Sequence, residues 1–313
     1  MKNNHNQEIM VEIKEKLKAI LNVIPVNSEI VFLEYPVYSN IGDMLIMKGT
    51  EKFFTENNIR VNKKYNILDF NIKSISSSEI LVLSGGGNFG DLYPAHQKFR
   101  EKVIKAFPNN RIVILPQSIH YDNDSNLHKT ASIFSSHNDL HVFLRDYNSL
   151  GIARQYFRCK VYLAPDMAHQ LYPITNSNMG NGLLGLIRTD GELDSKQEID
   201  KNRYNKITDW PQLLSKLNYI TIRIFRNLSM LSAKLKFINV YPLWTIYKDF
   251  LIKKAIKLYN KYDEVETSRL HGFILACLMD KKAFLFDNSY GKNSRYFDAH
   301  FKLGHNNSKI SSK

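Results

Sequence analysis

The chain has 313 residues, 43 % of them apolar and 12 % aromatic, which is ample for packed cores and more than one ordinary domain requires. Its 43 Lys and Arg outnumber 30 Asp and Glu, for a formal charge of +13. Only Cys159 and Cys277 are present, far apart and in apolar surroundings, which argues against a disulfide framework and a cysteine-built metal site and fits a reducing, cytoplasmic setting.

The opening MKNNHNQEIMVEIKEKLKAIL has apolar residues at helical spacing broken by Glu and Lys, the pattern of an amphipathic helix rather than a signal peptide. No run of 18 apolar residues occurs, so no membrane span is predicted. EIVFLEY (29–35) reads as a buried strand, PVYSNIGD as a turn and MLIMKGTEKFFTEN as a helix. In that turn Gly42 permits a close approach, and Asp43 stands at a helix start, where an aspartate serves as a cap as readily as a reactive group. ILVLSGGG (80–87) is a strand running into a loop, SGGGNFGDLYP, whose Gly85, Gly86 and Gly87 allow positive φ and let a phosphate, carboxylate or sugar touch backbone amides. A turn imposed by close packing explains the same glycines. Their spacing is not GxGxxG, so neither dinucleotide nor P-loop chemistry follows.

RIVILPQ (111–117), HVFLRD (141–146) and KVYLAPD (160–166) continue the series, each strand separated from the last by a helix-length segment. Arg145 and Asp166 close two of these strands, where their side chains would project toward one cleft edge or simply be solvated. Strands alternating with helices predict a parallel sheet covered on both faces, with ligands beyond the carboxyl ends of its strands. After the polar TNSNMGNG (175–182) the pattern restarts with LLGLIRTD, which divides the chain into Rossmann-like domains at 1–177 and 178–313.

Between Lys201 and Tyr262, thirteen Lys or Arg face only Asp209 and Asp249, a local net of +11. Here YITIRIFRNLSMLSAKLKFINVYPLWTIYKDFLIKKAIKLY interleaves cations, among them Arg223, Arg226, Lys234 and Lys236, with aromatics including Trp244. Such a mixture suits an anionic membrane surface or a lipid-linked substrate, and it is equally compatible with the solvated face of ordinary helices. No zinc-finger spacing, aromatic RNP motif or GXXG loop accompanies it, so no nucleic acid partner is expected.

VETSRLHG (265–272) precedes the apolar run FILACLM. With Ser268 as cap, Arg269, Leu270 and His271 would occupy a first helical turn, where unpartnered N–H groups and the macrodipole welcome an anion. Arg269 could fork onto a carboxylate or phosphate, and His271 could exchange a proton near neutrality. KAFLFDN (282–288) then reads as a strand, followed by a short helix.

Taken in order, SNIGD, SGGGNFGD, FLRDYNS, APD, TSRLHG and YGKN (290–293) resemble the polysaccharide pyruvyl transferase family over about residues 30–300. The resemblance implies a two-domain, GT-B-like α/β fold and transfer of pyruvate from phosphoenolpyruvate onto two hydroxyls of one sugar as a cyclic ketal, with no metal or dissociable cofactor. It also implies donor contacts from Arg269, Leu270 and His271 and from Arg145, whose following serine, Ser149, departs by one place from the family's R-x-x-S. Ser268, Lys292, Asn88 and the three glycines join the expected substrate contacts. His271 is then the expected general acid, with Asp43 or Asp166 accepting a hydroxyl proton, and the basic stretch is expected at the acceptor, a glycan carried on a polyprenyl diphosphate at the inner membrane face. A GT-B glycosyltransferase using a nucleotide sugar, and a non-catalytic membrane-docking module, are the two alternative readings.

Overall fold

The computed structural model describes residues 4–175, 180–194, 199–235, 239–302 and 310–312. Helix α1 (Asn4–Lys16) leads through a 3-10 turn into β1 (Glu29–Leu33), α2 (Ile41–Glu56), β2 (Arg60–Lys64), β3 (Ile80–Leu83), β4 (Gly86–Gly90) and α3 (Pro94–Ala106). There follow β5 (Ile112–His120), α4 (Asp124–Ser135), β6 (Leu140–Leu144), α5 (Tyr147–Tyr156) and β7 (Lys160–Leu163). These seven strands form one parallel sheet in the order β2-β1-β3-β5-β6-β7, with β4 paired to β5 beside that path. The strands read as unbroken apolar runs because both faces are covered, and the two-residue period divides each run. Ile30, Phe32, Val82, Val113 and Phe143 enter one core, and Val31, Leu33, Leu81, Ile112, Val142 and Leu144 enter another.

A second parallel sheet, ordered β12-β11-β10-β8-β9, contains β8 (Leu183–Leu186), β9 (Lys206–Thr208), β10 (Glu264–Thr267), β11 (Lys282–Leu285) and β12 (Ile310–Ser312). Its helices are α6 (Trp210–Leu213), α7 (Lys216–Ser232), α8 (Tyr241–Tyr259), α9 (Leu270–Leu278) and α10 (Lys292–His300). The expected boundary between 177 and 178 falls in 176–179, outside the described residues. The two sheets share one core: the cluster with Phe32 and Met44 also holds Leu184, Val265, Phe273 and Trp244. Helix α8 joins α2 through Lys48 Nζ to Asp249 Oδ2 at 2.7 Å and through buried Lys248 on Glu51.

Three expectations change. The glycine stretch is not all loop, since Gly86–Gly90 pairs with β5 as a strand. Residues 265–267, read within the helix-start segment VETSRLHG, belong instead to β10, the middle strand of the second sheet. Trp244 is not on the surface: its side chain is fully buried and Nε1 donates to the Pro36 carbonyl at 2.8 Å.

In each sheet the winding reverses once. From β1 the chain goes outward to β2 and returns to the other side at β3; from β8 it goes outward to β9 and returns at β10. Loops diverge at such points and leave a crevice beyond the strand ends. Residues that follow β1, β3, β8 and β10 line one common cleft.

Candidate active site

The cleft has a volume of about 360 Å³ and draws its walls from both sheets. Asn40, Gly42 and Asp43 come from the loop after β1 and the first turn of α2, Gly87 and Asn88 from β4, and His96 from α3. Arg145 follows β6, Arg188, Asp190 and Glu192 follow β8, Arg269, Leu270 and His271 follow β10, and Lys292 opens α10.

His271 is held from two sides. Its Nε2 lies 3.1 Å from Asp166 Oδ2, and its ring rests against Gly42, where a Cβ would come within 2.7 Å of Nδ1. The expected cap is elsewhere: Ser268 is fully buried and its Oγ accepts the Arg188 N–H at 2.9 Å. Arg269 occupies the N-cap position without a side-chain cap, and its own N–H donates to Thr267 Oγ1 at 3.0 Å. Ser268 therefore ties the loop after β8 to that after β10.

Asp166 does not open on the cleft. It is fully buried, with Oδ2 shared by His271 and Arg145 Nη1 (2.6 Å) and Oδ1 accepting the Ala168 N–H at 2.9 Å. Burial pushes this carboxyl up, but the neighbouring His271 and Arg145 outweigh it and hold Asp166 well below the usual carboxylate range. Its position is that of an orienting group behind two cleft residues.

Arg145 is also buried, with Nε donating to Ser118 Oγ at 2.9 Å. Its Nη2 turns toward Gly87, where a Cβ would stand 2.7 Å from Nη2 and 3.5 Å from Lys292 Nζ. Two cations therefore converge over a residue that only glycine can supply. Burial pushes Lys292 down to about 8, with Glu192 opposing and Arg145 and Arg188 adding to the fall. Its Nζ lies 3.2 Å from Glu192 Oε2. Glu192 also meets Arg188 Nη2 at 2.9 Å and accepts from the hydroxyls of Tyr93 and Tyr290. Burial raises its carboxyl, but Lys292 and Arg188 hold it at about 2. An anionic ligand at Lys292 thus competes with a carboxylate of the chain itself.

Arg269 lines the cleft with its fork already engaged, Nε and Nη2 lying 2.8 and 2.6 Å from the Asp209 carboxylate and Nη2 also 2.9 Å from Asp190. The glycines divide in role. Gly86 has a φ of +139°, a Cβ on Gly85 would press to 2.8 Å of the Pro116 carbonyl, and of the three only Gly87 lines the cleft. Asn40, not Asp43, caps α2 by accepting the Gly42 N–H at 2.9 Å, while Asp43 takes a 2.8 Å bond from Asn40 Nδ2 and faces the cleft. Ser149 belongs to the cap of α5, where its N–H donates to Asp146 Oδ1 at 2.7 Å.

A second imidazole–carboxylate pair escaped the sequence reading. His96 Nδ1 lies 2.9 Å from Glu34 Oε1, and buried Arg100 forks onto the same carboxylate with two 2.9 Å contacts while also holding Asn88. Glu34 has a φ of +60° at the end of β1, an uncommon conformation for a residue with a side chain. The available signal was a lone charge closing an apolar strand, the same one that singled out Arg145. Arg188 and Glu192 were missed for want of any local pattern. Among the described residues no group of three or more His, Cys, Asp or Glu side chains is placed to hold a metal ion.

Two parallel sheets meeting crevice to crevice, with a histidine–aspartate pair set among convergent cations, define a GT-B-like α/β protein with Rossmann-like sheets. The chain belongs to the polysaccharide pyruvyl transferase family, whose family model matches residues 40–290. It is 45 % identical over 294 residues to the Bacillus subtilis (strain 168) protein named "Putative pyruvyl transferase EpsO", covering 92 % of this chain and 90 % of that one. It is 31 % identical over 157 residues to pyruvyl transferase 1 of Schizosaccharomyces pombe, covering 47 % of this chain and 39 % of the relative. A crystal structure of protein KP1_0663 from Klebsiella pneumoniae superposes with a TM-score of 0.63 at 22 % identity, over 96 % of this chain and 98 % of that one, a likeness of fold.

Proposed function

We propose that the protein transfers pyruvate from phosphoenolpyruvate to two hydroxyls of one sugar in a surface polysaccharide or its lipid-linked precursor, forming a cyclic ketal and releasing phosphate. The observation that carries this reading is the convergence of Arg145 Nη2 and Lys292 Nζ on Gly87, in the same cleft as a histidine fixed by a buried aspartate. Phosphoenolpyruvate has a carboxylate and a phosphate, and each charge-assisted contact with Arg145, Lys292 or the neighbouring Arg269 contributes roughly 1.5–3 kcal/mol. The donor's charge displaces Glu192 from Lys292. Residues 178–313 supply most of the donor contacts, with Leu270 as an apolar wall and Ser268 acting through the loop it ties, and residues 1–177 line the acceptor side.

In the reaction, His271 donates a proton from the ring nitrogen that Asp166 does not hold. The electron pair of the donor's C=C bond takes that proton at the methylene carbon and leaves the adjacent carbon electron-poor. A sugar hydroxyl forms the first C–O bond, passing its proton to Asp43. The second hydroxyl forms the other C–O bond and gives its proton to His271, which restores the acid, as the bond to the phosphate oxygen breaks and phosphate leaves with that electron pair. General acid catalysis of the first step is worth on the order of 10²–10⁴-fold.

Purified protein given phosphoenolpyruvate and a lipid-linked oligosaccharide releases inorganic phosphate, and the glycan gains the mass of a ketal-linked pyruvate. His271→Ala abolishes both while circular dichroism is unchanged. Turnover of a nucleotide sugar, with no phosphate release from phosphoenolpyruvate across a panel of acceptors, overturns the reading.

A further inference from the structure

The Lys201–Tyr262 stretch folds into helices that leave part of their apolar surface uncovered. Helix α7 turns Asn218, Ile222, Phe225, Ser229 and Ser232 inward, the first part of this face against α8 residues such as Trp244 and Tyr247 and Ser232 toward Asp69. Its outer side carries Leu217, Ile220, Ile224, Leu228 and Leu231, a stripe at steps of three and four residues that stays on one face of a helix. Leu217 is 73 % exposed. Helix α8 adds Leu243, Ile246 and Phe250 in the same spacing, with Leu243 64 % and Ile246 69 % exposed. Water-facing aliphatic side chains in two such rows are a marked departure from isolated surface leucines.

The charges say what covers them. Exposed Lys216 and Arg223 lie to one side of the α7 stripe, Lys234 follows just past the helix end, and Lys253 and Lys257 continue the α8 row past Phe250. Neither helix carries an acidic residue apart from Asp249, which is paired with Lys48 of α2. Lys236 lies outside the described residues and takes no part. Apolar rows edged by unopposed cations match a surface of hydrocarbon beneath anionic headgroups, whereas an acidic protein partner would match the cations and leave the aliphatic rows unexplained. No helix of the described residues is long and apolar enough to cross a bilayer, so contact is with its surface. The face adjoins the cleft through the chain: α7 starts just after Trp210, a cleft residue, and α8 is bound to α2, whose first turn lines the cleft.

We infer that α7 and α8 form an interfacial docking face for an anionic phospholipid bilayer, inserting the Leu217–Leu231 row and Leu243, Ile246 and Phe250 among the acyl chains while Arg223, Lys234, Lys253 and Lys257 meet headgroup phosphates. This inference stands apart from the chemistry of the cleft. The full chain cosediments with phosphatidylglycerol–phosphatidylcholine vesicles, and partitioning falls at least tenfold with phosphatidylcholine alone, with the double variant Leu243→Gln/Ile246→Gln, and with Arg223→Glu/Lys234→Glu. The exposed positions leave the fold and phosphate release with a water-soluble acceptor unchanged. Failure of the wild-type chain to bind the anionic vesicles overturns the inference. So does a stable dimer that dissociates in Leu243→Gln/Ile246→Gln while vesicle binding persists, because a second copy would then be the occupant of the face.

Discussion

Lys292 stands with its ammonium between Glu192 and the Tyr290 ring, and burial brings its pKa down to about 8. It is charged below that value and neutral above it, so affinity for a dianionic donor declines as pH rises through 8. We expect kcat/KM for phosphoenolpyruvate to fall by about tenfold per pH unit above that point, and to stay level into that range in Lys292→Arg, whose guanidinium does not deprotonate. Stability moves the other way. A lysine whose folded pKa is depressed binds fewer protons folded than unfolded, so the contribution of Lys292 to stability grows from about 8 up to the ordinary lysine value of about 10.4, and its deprotonation does not itself melt the fold. A pH profile of the wild type that is flat across this window removes Lys292 from donor binding. The cleft residues read from the sequence were those with a pattern around them: His271 and Arg269 at an apolar helix, Arg145 at a strand end, Gly87 in a glycine run. Their partners were not legible. Arg269 meets Asp209 across sixty residues of sequence, and Glu34 meets Arg100 and His96, pairings that exist only once the chain is folded.

Two helix starts face each other across the cleft, Gly42 in the first turn of α2 and His271 in the first turn of α9. A methyl group on Gly42 would lie 2.7 Å from His271 Nδ1 and 3.0 Å from its Cγ, so the ring must turn away from Asp166. Gly42→Ala thus lowers kcat by at least about tenfold, as expected when a proton donor leaves its place. Its melting temperature changes little, because the helix preference of alanine over glycine, up to about 1 kcal/mol, offsets the displacement of the His271 ring at this buried turn. Steady-state kinetics beside a thermal melt check this; a variant with wild-type kcat contradicts the packing described. Apart from β7 at a sheet edge, the strands that a linear reading found lie inside the sheets, where both faces are covered and the sequence runs apolar. Those it missed have polar residues for a reason. RVNKK in β2 and KIT in β9 are sheet edges, where charge is tolerated. EVET in β10 is central, and its buried Glu266 is matched by Arg203 at 2.7 Å and the Tyr204 hydroxyl at 2.6 Å from a loop elsewhere in sequence.

The two sheets carry their winding reversals to one cleft, so in the proposed reaction the donor, the proton source and the acceptor hydroxyls meet where neither sheet alone supplies a complete set of groups. Arg145, Asp43 and Gly87 come from the loop after β6, the first turn of α2 and strand β4 on one sheet's side, and Arg269, His271 and Lys292 from the loop after β10 and the starts of α9 and α10 on the other's. The shared core around Phe32, Trp244 and Val265 holds those loops in register. The alternation of strands and helices was enough to anticipate the parallel sheets, but not that Trp244 would anchor α8 against the Pro36 carbonyl instead of facing a membrane. In the proposed reaction the methylene carbon of phosphoenolpyruvate takes a solvent-exchangeable proton from His271 on its way to the ketal. Turnover in deuterium oxide, followed by mass spectrometry of the product glycan, measures this. One deuterium is expected in the methyl group of each pyruvate ketal, with no labelled product from His271→Ala. A ketal methyl that carries no deuterium, or wild-type labelling in His271→Ala, contradicts it.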